Sequence, residues 1–301
     1  EEEQALHHLE LDAANLKEAL TWFEQQDAWD EMLRLAAALA WFWFAHSHYH
    51  EGRAWLERAL ARATTAPVAT RASACNGLAL IASFQGDQDT ARQACERGLE
   101  LFDSINDRAG VARTLIGLGV TANHRGDRDA AAAHLEQALA VAAELPETAA
   151  TRSLRSDGYA NLGVARLAQG RHADASACHQ TALELRRELR HWWGVSRSLR
   201  DLGDLALAEG RHLDATARYR ESLEIALDLG DQRIVADALE GIGLSAVAWR
   251  QPAIGVRLLS AVERARQRER QVVGAAGDRL GGLQALDHAK VAAGERRCDG
   301  D

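Results

Sequence analysis

Small residues recur in this chain at one fixed offset: Ala79 and Gly86, Gly119 and Gly126, Gly163 and Gly170, Gly203 and Gly210 are each seven apart. A fifth copy reads Gly243 then Arg250, and an earlier one centres on Ser47, so turns are expected at 47, 86, 126, 170, 210 and 250. The period is about 40 residues, the scale of a helical repeat array. Such a chain folds by stacking, because no single copy can bury its own apolar face.

Counting on from each turn, the fifth residue is small (Gly52, Ala91, Ala131, Ala175, Ala215, Gly255) and so is the twelfth (Ala59, Gly98, Ala138, Ala182, Ser222). The ninth is larger, namely Leu56, Cys95, Leu135, His179 or Tyr219, and the thirteenth is Leu60, Leu99, Leu139, Leu183 or Leu223. At helical pitch the fifth, ninth and twelfth positions share one face. Each copy therefore reads as a helix A ending near the turn and a helix B starting two to four residues later. Glycine at the turn suits a left-handed helix terminus. Asp89, Asp129, Asp174 and Asp214 fall where an N-cap or first-turn carboxylate meets the positive helix end.

Composition agrees. Three prolines, Pro67, Pro146 and Pro252, among 301 residues enforce few helix breaks. The longest apolar run, Leu35 to Ala45, is about half the length of a membrane span. With 44 acidic and 35 basic residues the net charge is −9, and the arginines are interspersed with acids, which argues against nucleic-acid contact. Cys75, Cys95, Cys178 and Cys298 lie far apart with no C-x-x-C spacing, so a reducing, cytoplasmic setting is expected. The chain starts without Met and reads as a piece of a longer polypeptide.

Gly163, Gly170, Ala175, Tyr219 in the next copy, and Ala182 resemble the tetratricopeptide repeat (TPR) in order and spacing. The proline that commonly closes the 34-residue form is absent, and the longer period resembles the 40-residue variety. The segments Asn15–Trp22, Leu33–Ala36 with Trp41-Phe42-Trp43-Phe44, and Glu51–Leu60 resemble the entry into the TPR region of bacterial LuxR-like and AfsR-like STAND ATPase transcriptional regulators. The similarity covers residues 9 to about 268. It implies an all-α, right-handed α-α superhelix of about six helix pairs. The expected organisation is a lead-in helix within 1–30, the solenoid over 31–270, and a Gly-rich tail over 271–301, partly disordered or with one short helix.

No G-x-x-x-x-G-K-[ST] loop and no G-x-G-x-x-G after a strand is present. His46, His48 and His50 alternate and do not share a helical face, so a polar turn is expected there rather than a metal site. Cys178 and His179 point about 100° apart on a helix, and His179 takes the core-lining ninth position. Trp41 to Phe44 cannot all face one way; they either pack on the flanking helices 14–26 and 50–63 or form in part a docking surface. Arg186, Arg187 and Arg190 with Trp192 and Trp193 read as a solvated loop between repeats.

If the TPR resemblance holds, helix A lines a groove with the residues three, six, ten and thirteen before each turn. These are Arg113, Ile116, Val120 and Asn123, with His124 adjacent; Asp157, Ala160, Val164 and Leu167; Arg197, Arg200, Asp204 and Leu207; and Asp237, Glu240, Leu244 and Val247. The polar set, Arg113, Asn123, His124, Asp157, Arg197, Arg200, Asp204, Asp237 and Glu240, is the candidate partner-binding site. The expected function is a non-enzymatic interaction module without cofactor or metal, the sensor or scaffold segment of a bacterial signalling regulator. Its partner is a protein segment, a peptide, or an upstream nucleotide-binding domain of the same polypeptide. The alternative is the regulatory part of a STAND ATPase or cyclase-linked enzyme.

Overall fold

The computed structural model describes residue 9 and residues 11–267; the expected tail over 271–301 lies outside the described residues. In chain order the helices are α1 (Ala13–Gln25), α2 (Trp29–Ala45), α3 (Tyr49–Arg62), α4 (Val68–Phe84), α5 (Gln88–Ser104), α6 (Arg108–Arg125), α7 (Arg128–Ala143), α8 (Ala149–Ala168), α9 (His172–Glu188), α10 (Trp192–Ala208), α11 (His212–Leu229) and α12 (Gln232–Ala248). A further helical stretch covers 252–267, and no strand occurs among the described residues. The fold is all-α, built of helix hairpins in the manner of a TPR solenoid. Even-numbered helices from α2 to α12 are the A helices, odd-numbered ones from α3 to α11 the B helices. Two compact units are formed, Glu1–Ser198 and Leu199–Asp301, with the boundary inside α10.

All six expected turns are left-handed: φ is 59° at Ser47, 84° at Gly86, 78° at Gly126, 75° at Gly170, 74° at Gly210 and 58° at Arg250. At each one the next amide reaches back five residues, as when the Asp87 N–H donates to the Ala82 carbonyl at 3.0 Å and the Arg211 N–H to Ala206 at 2.8 Å. This closes the A helix in the Schellman manner and points helix B back along it. Asp89, Asp129, Asp174 and Asp214 lie in the first turns of their B helices. The caps themselves are two residues earlier: Asp87 accepts from the Thr90 N–H and Asp127 from the Ala130 N–H, each at 3.1 Å. Where Arg171 or Arg211 replaces that aspartate, the arginine binds the first-turn Asp174 at 2.6 Å or Asp214 at 2.8 Å instead.

The small-to-large complementarity holds in space. A Cβ on Gly119 would stand 2.5 Å from Leu135, on Gly163 2.5 Å from His179, on Gly203 2.7 Å from Tyr219, and on Gly243 3.1 Å from Leu259. In these four copies the residue seven before the turn thus faces the residue nine after it, and Leu56, Cys95, Leu135, His179 and Tyr219 are all buried. Only a missing side chain lets the helices approach so closely.

Within the first unit, consecutive A helices pack on one another, α2 on α4, α4 on α6 and α6 on α8, while consecutive B helices do not pack comparably. The layer whose members lie closer together is the inside of a curved stack. In this unit the A helices therefore form the inner face.

Candidate functional site

On the inner face of the first unit, aromatic rings from four different A helices meet in an unbroken series. His124 on α6 stands edge-on to Phe84 on α4, centroids 5.9 Å apart, and Phe84 edge-on to Phe44 on α2 at 4.6 Å. Phe44 adjoins Trp41 at 5.0 Å, and Trp41 meets Trp193 on α10 edge-on at 5.7 Å. Arg197 lies over the Trp193 ring, 5.0 Å from its centroid. These are favoured edge-to-face and cation–π geometries. The series is not sealed in the core: Trp41 is 37% and Phe84 41% exposed, while Phe44 is buried.

Each ring is placed by the repeat. Phe44 and Trp41 are three and six residues before the turn at Ser47, the offsets expected for groove positions. Phe84 and His124 each stand two before their turns at Gly86 and Gly126. Phe42 and Trp43, between the groove-facing pair, are buried against the flanking helices. The aromatic run thus divides, two rings inward and two onto the inner face. Trp193 is brought to Trp41 by the curvature accumulated over four hairpins.

Of the expected site residues in this unit, Arg113 is exposed. The Asn123 amide donates to the Asn161 carbonyl at 3.3 Å, joining adjacent A helices. His124 shares a 2.9 Å hydrogen bond between Nδ1 and the Ser83 hydroxyl, and partial burial holds its imidazole below the ordinary histidine value. Asp157 accepts from Arg186 Nη2 at 2.8 Å. Arg186 is only 2% exposed and also donates to Ser198 Oγ at 2.7 Å and to the Gly194 carbonyl at 3.2 Å. The expectation of a solvated loop at 186–193 fails here, because α9 carries Arg186 into the interior, where the Asp157 carboxylate and two neutral oxygens replace water.

The remaining expected residues belong to the second unit and are tied to one another. Arg200 binds Asp201 at 2.7 Å and Asp237 at 3.0 Å. Arg266, from 252–267, binds Asp237 at 2.6 Å and Glu240 at 2.7 Å. Asp204 accepts a 2.6 Å hydrogen bond from the buried Tyr219 hydroxyl. Crowding by protein pushes the Asp204 carboxyl up to about 6, with Asp201 and Asp237 adding to the rise while the Tyr219 hydroxyl and Arg200 oppose it. Arg200 is held above its ordinary value, chiefly by the Asp201 charge. Both cations of this network, Arg200 and Arg266, are engaged by its four carboxylates. Arg266 escaped the groove rule because it comes from a B-type helix.

Among the described residues no group of three or more His, Cys, Asp or Glu side chains could hold a metal ion, and no helix is long and apolar enough to cross a membrane. Burial pushes the Cys178 thiol up, away from nucleophilic thiolate character.

No curated protein matches the chain in sequence. Among solved structures it is similar to a Rap protein complexed with Competence and Sporulation Factor, at 12% identity, 78% of this chain and 76% of that one, TM-score 0.61. It is likewise similar to the apo quorum sensor NprR from B. thuringiensis, at 12% identity, 87% and 85%, TM-score 0.59. A third is a STAND protein with a tetratricopeptide repeat sensor from Pyrococcus horikoshii, at 12% identity, 88% of this chain but 45% of that one, TM-score 0.57. At such identities the likeness is one of fold. Residues 70–144 and 153–228, half of the chain, match the tetratricopeptide repeat model, and the chain belongs to that family.

Proposed function

We propose that this chain is a non-enzymatic peptide- or helix-binding module, the TPR sensor or scaffold segment of a cytoplasmic bacterial signalling or transcriptional regulator. In this reading a helix within 1–30 leads into a solenoid over 31–270. The observation that carries it is the aromatic series from His124 to Trp193. Four A helices contribute rings to one inner face, and the exposed edges of Trp41 and Phe84 offer apolar anchoring where an extended chain or a helix can lie. The fold likeness to a Rap protein complexed with a factor and to a quorum sensor supports a regulatory setting.

The test is selection of binders from a random twelve-residue peptide display library on the immobilised protein. Synthetic copies are then titrated against the wild type and Trp41→Ala and Phe84→Ala variants whose helicity is verified by circular dichroism. Recovered peptides should lose about tenfold or more in affinity on either substitution, roughly the worth of one buried aromatic anchor. Recovery of no peptide, or affinities unchanged in both variants, overturns the proposal.

A second reading is supported by the fold likeness to the P. horikoshii STAND protein: the repeats regulate a nucleotide domain of the same polypeptide. ATP turnover by the complete polypeptide should then change on Trp41→Ala. Unchanged turnover refutes that reading.

A further inference from the structure

Charge in the first unit is segregated by helix layer. From Trp29 to Ser198 the A helices carry nine arginines against three carboxylates, Asp30, Glu31 and Asp157, whereas the B helices carry eight arginines against eleven carboxylates. The inner layer is thus basic in a chain of net charge −9. Four of the nine arginines are drawn to carboxylates outside the A layer: Arg108 to Glu144, Arg125 to Asp89, Arg155 to Glu147 and Arg166 to Glu136. The position thirteen before each turn reads Arg34, Ser73, Arg113, Asp157 and Arg197. Its one carboxylate, Asp157, already serves the buried Arg186. Arg34 and Arg113 are exposed and have no ion-pair partner among the described residues.

On α2 and α6 an unpaired arginine and a ring of the aromatic series stand on the same helix, seven residues apart from Arg34 to Trp41 and eleven apart from Arg113 to His124. At 1.5 Å per residue that is about 10 to 16 Å. An extended peptide advances about 3.3 Å per residue, so it crosses the gap in about three to five residues.

We infer that the inner face of the first unit recognises an acidic segment of a partner protein. That segment carries an aromatic or large aliphatic side chain about three to five residues from its Asp or Glu. Its acids meet Arg34 on α2 or Arg113 on α6, and the apolar side chain covers the exposed edges of Trp41 and Phe84. The inference rests on the peptide-binding reading above and adds to it the chemistry of the occupant. Charge complementarity chooses the sign: a basic segment would set its cations against unpaired guanidinium groups.

The display selection that tests peptide binding also separates the two ideas. Recovered sequences should be enriched in Asp and Glu and in Phe, Trp, Tyr or Leu at that spacing. Their affinity should fall about tenfold or more in Arg34→Glu/Arg113→Glu, be lowered less in Arg34→Gln/Arg113→Gln, and weaken with added salt. Arg92→Glu, on the outer helix α5, should leave it unchanged. If recovered peptides are basic or neutral, or if the double reversal leaves affinity intact, the charge inference falls while peptide binding stands. If no peptide is recovered, both fall. If a twelve-nucleotide single-stranded DNA binds more tightly than any recovered peptide, the basic face belongs to nucleic acid and the inference is overturned.

Discussion

Replacing Gly203 by alanine adds one methyl group against a ring that has no room to move. A Cβ on Gly203 would lie 2.7 Å from Tyr219 Cε1, and a Cβ on Gly241, in the next A helix, would lie 2.4 Å from the same atom. The Tyr219 ring is fully buried between two glycines, and its hydroxyl is anchored on Asp204 at 2.6 Å, so sliding away from one backbone presses it on the other or breaks the hydrogen bond. In a helix interior alanine is favoured over glycine by about 1 kcal/mol. Overpacking a rigid ring costs about 1 to 3 kcal/mol. The clash should offset or exceed the gain, leaving Gly203→Ala destabilised by about 0 to 2 kcal/mol in urea unfolding followed by circular dichroism. In a double-mutant cycle with Tyr219→Leu the alanine should cost less, because removing the ring removes the clash. A Gly203→Ala variant stabilised by about 1 kcal/mol, the propensity gain alone, would refute the packing argument.

Leu135→Ala, at a fully buried ninth position facing Gly119, should cost about 2 to 5 kcal/mol, read from the shift in urea midpoint. Asp107→Ala removes the acceptor of the Gly110 N–H at 2.9 Å and should cost about 1 kcal/mol. Asp174→Ala removes only an exposed partner of Arg171 and should change stability by less than about 0.5 kcal/mol; equal losses for the two aspartates would contradict the assignment of caps. For Asp204 the folded value of about 6 lies above that of the unfolded chain, so the folded state holds the proton more tightly. Stability from this group is present below pH about 4 and is lost as pH rises through about 6. Asp204→Asn should therefore raise the urea midpoint at pH 7.5 and gain nothing at pH 4; a gain independent of pH would disprove the titration.

The turns at 47, 86, 126, 170, 210 and 250 were legible because a left-handed residue restricts side chains, and because the residue seven before must be small where the residue nine after is large. The turns that lead into an A helix with positive φ, at Asp27, Asn106, Arg190 and Gly230, carry residues of four types and follow no such rule. The capping role of Asp87 and Asp127 does not show in the repeat pattern, because only two of the copies hold an aspartate there. Part of the candidate face was within reach: the groove offsets, applied at Ser47, land on Trp41 and Phe44. Trp193 is seventeen residues before its turn and outside any periodic rule, since its contact with Trp41 depends on the summed rotation of four hairpins. Asp157, Asp237 and Glu240 were legible as groove positions, but their partners Arg186 and Arg266 come from B-type helices, which an A-helix rule does not survey.

The central claim is that a peptide lies on the inner, A-helix face of the first unit. Photo-cross-linking tests it most directly, using a display-selected peptide in which a benzoylphenylalanine replaces the aromatic anchor, with the cross-linked residues mapped by mass spectrometry. The account predicts cross-links on α2, α4 and the start of α10, around Trp41, Phe84 and Trp193. Cross-links confined to α3, α5, α7 or α9 would contradict it.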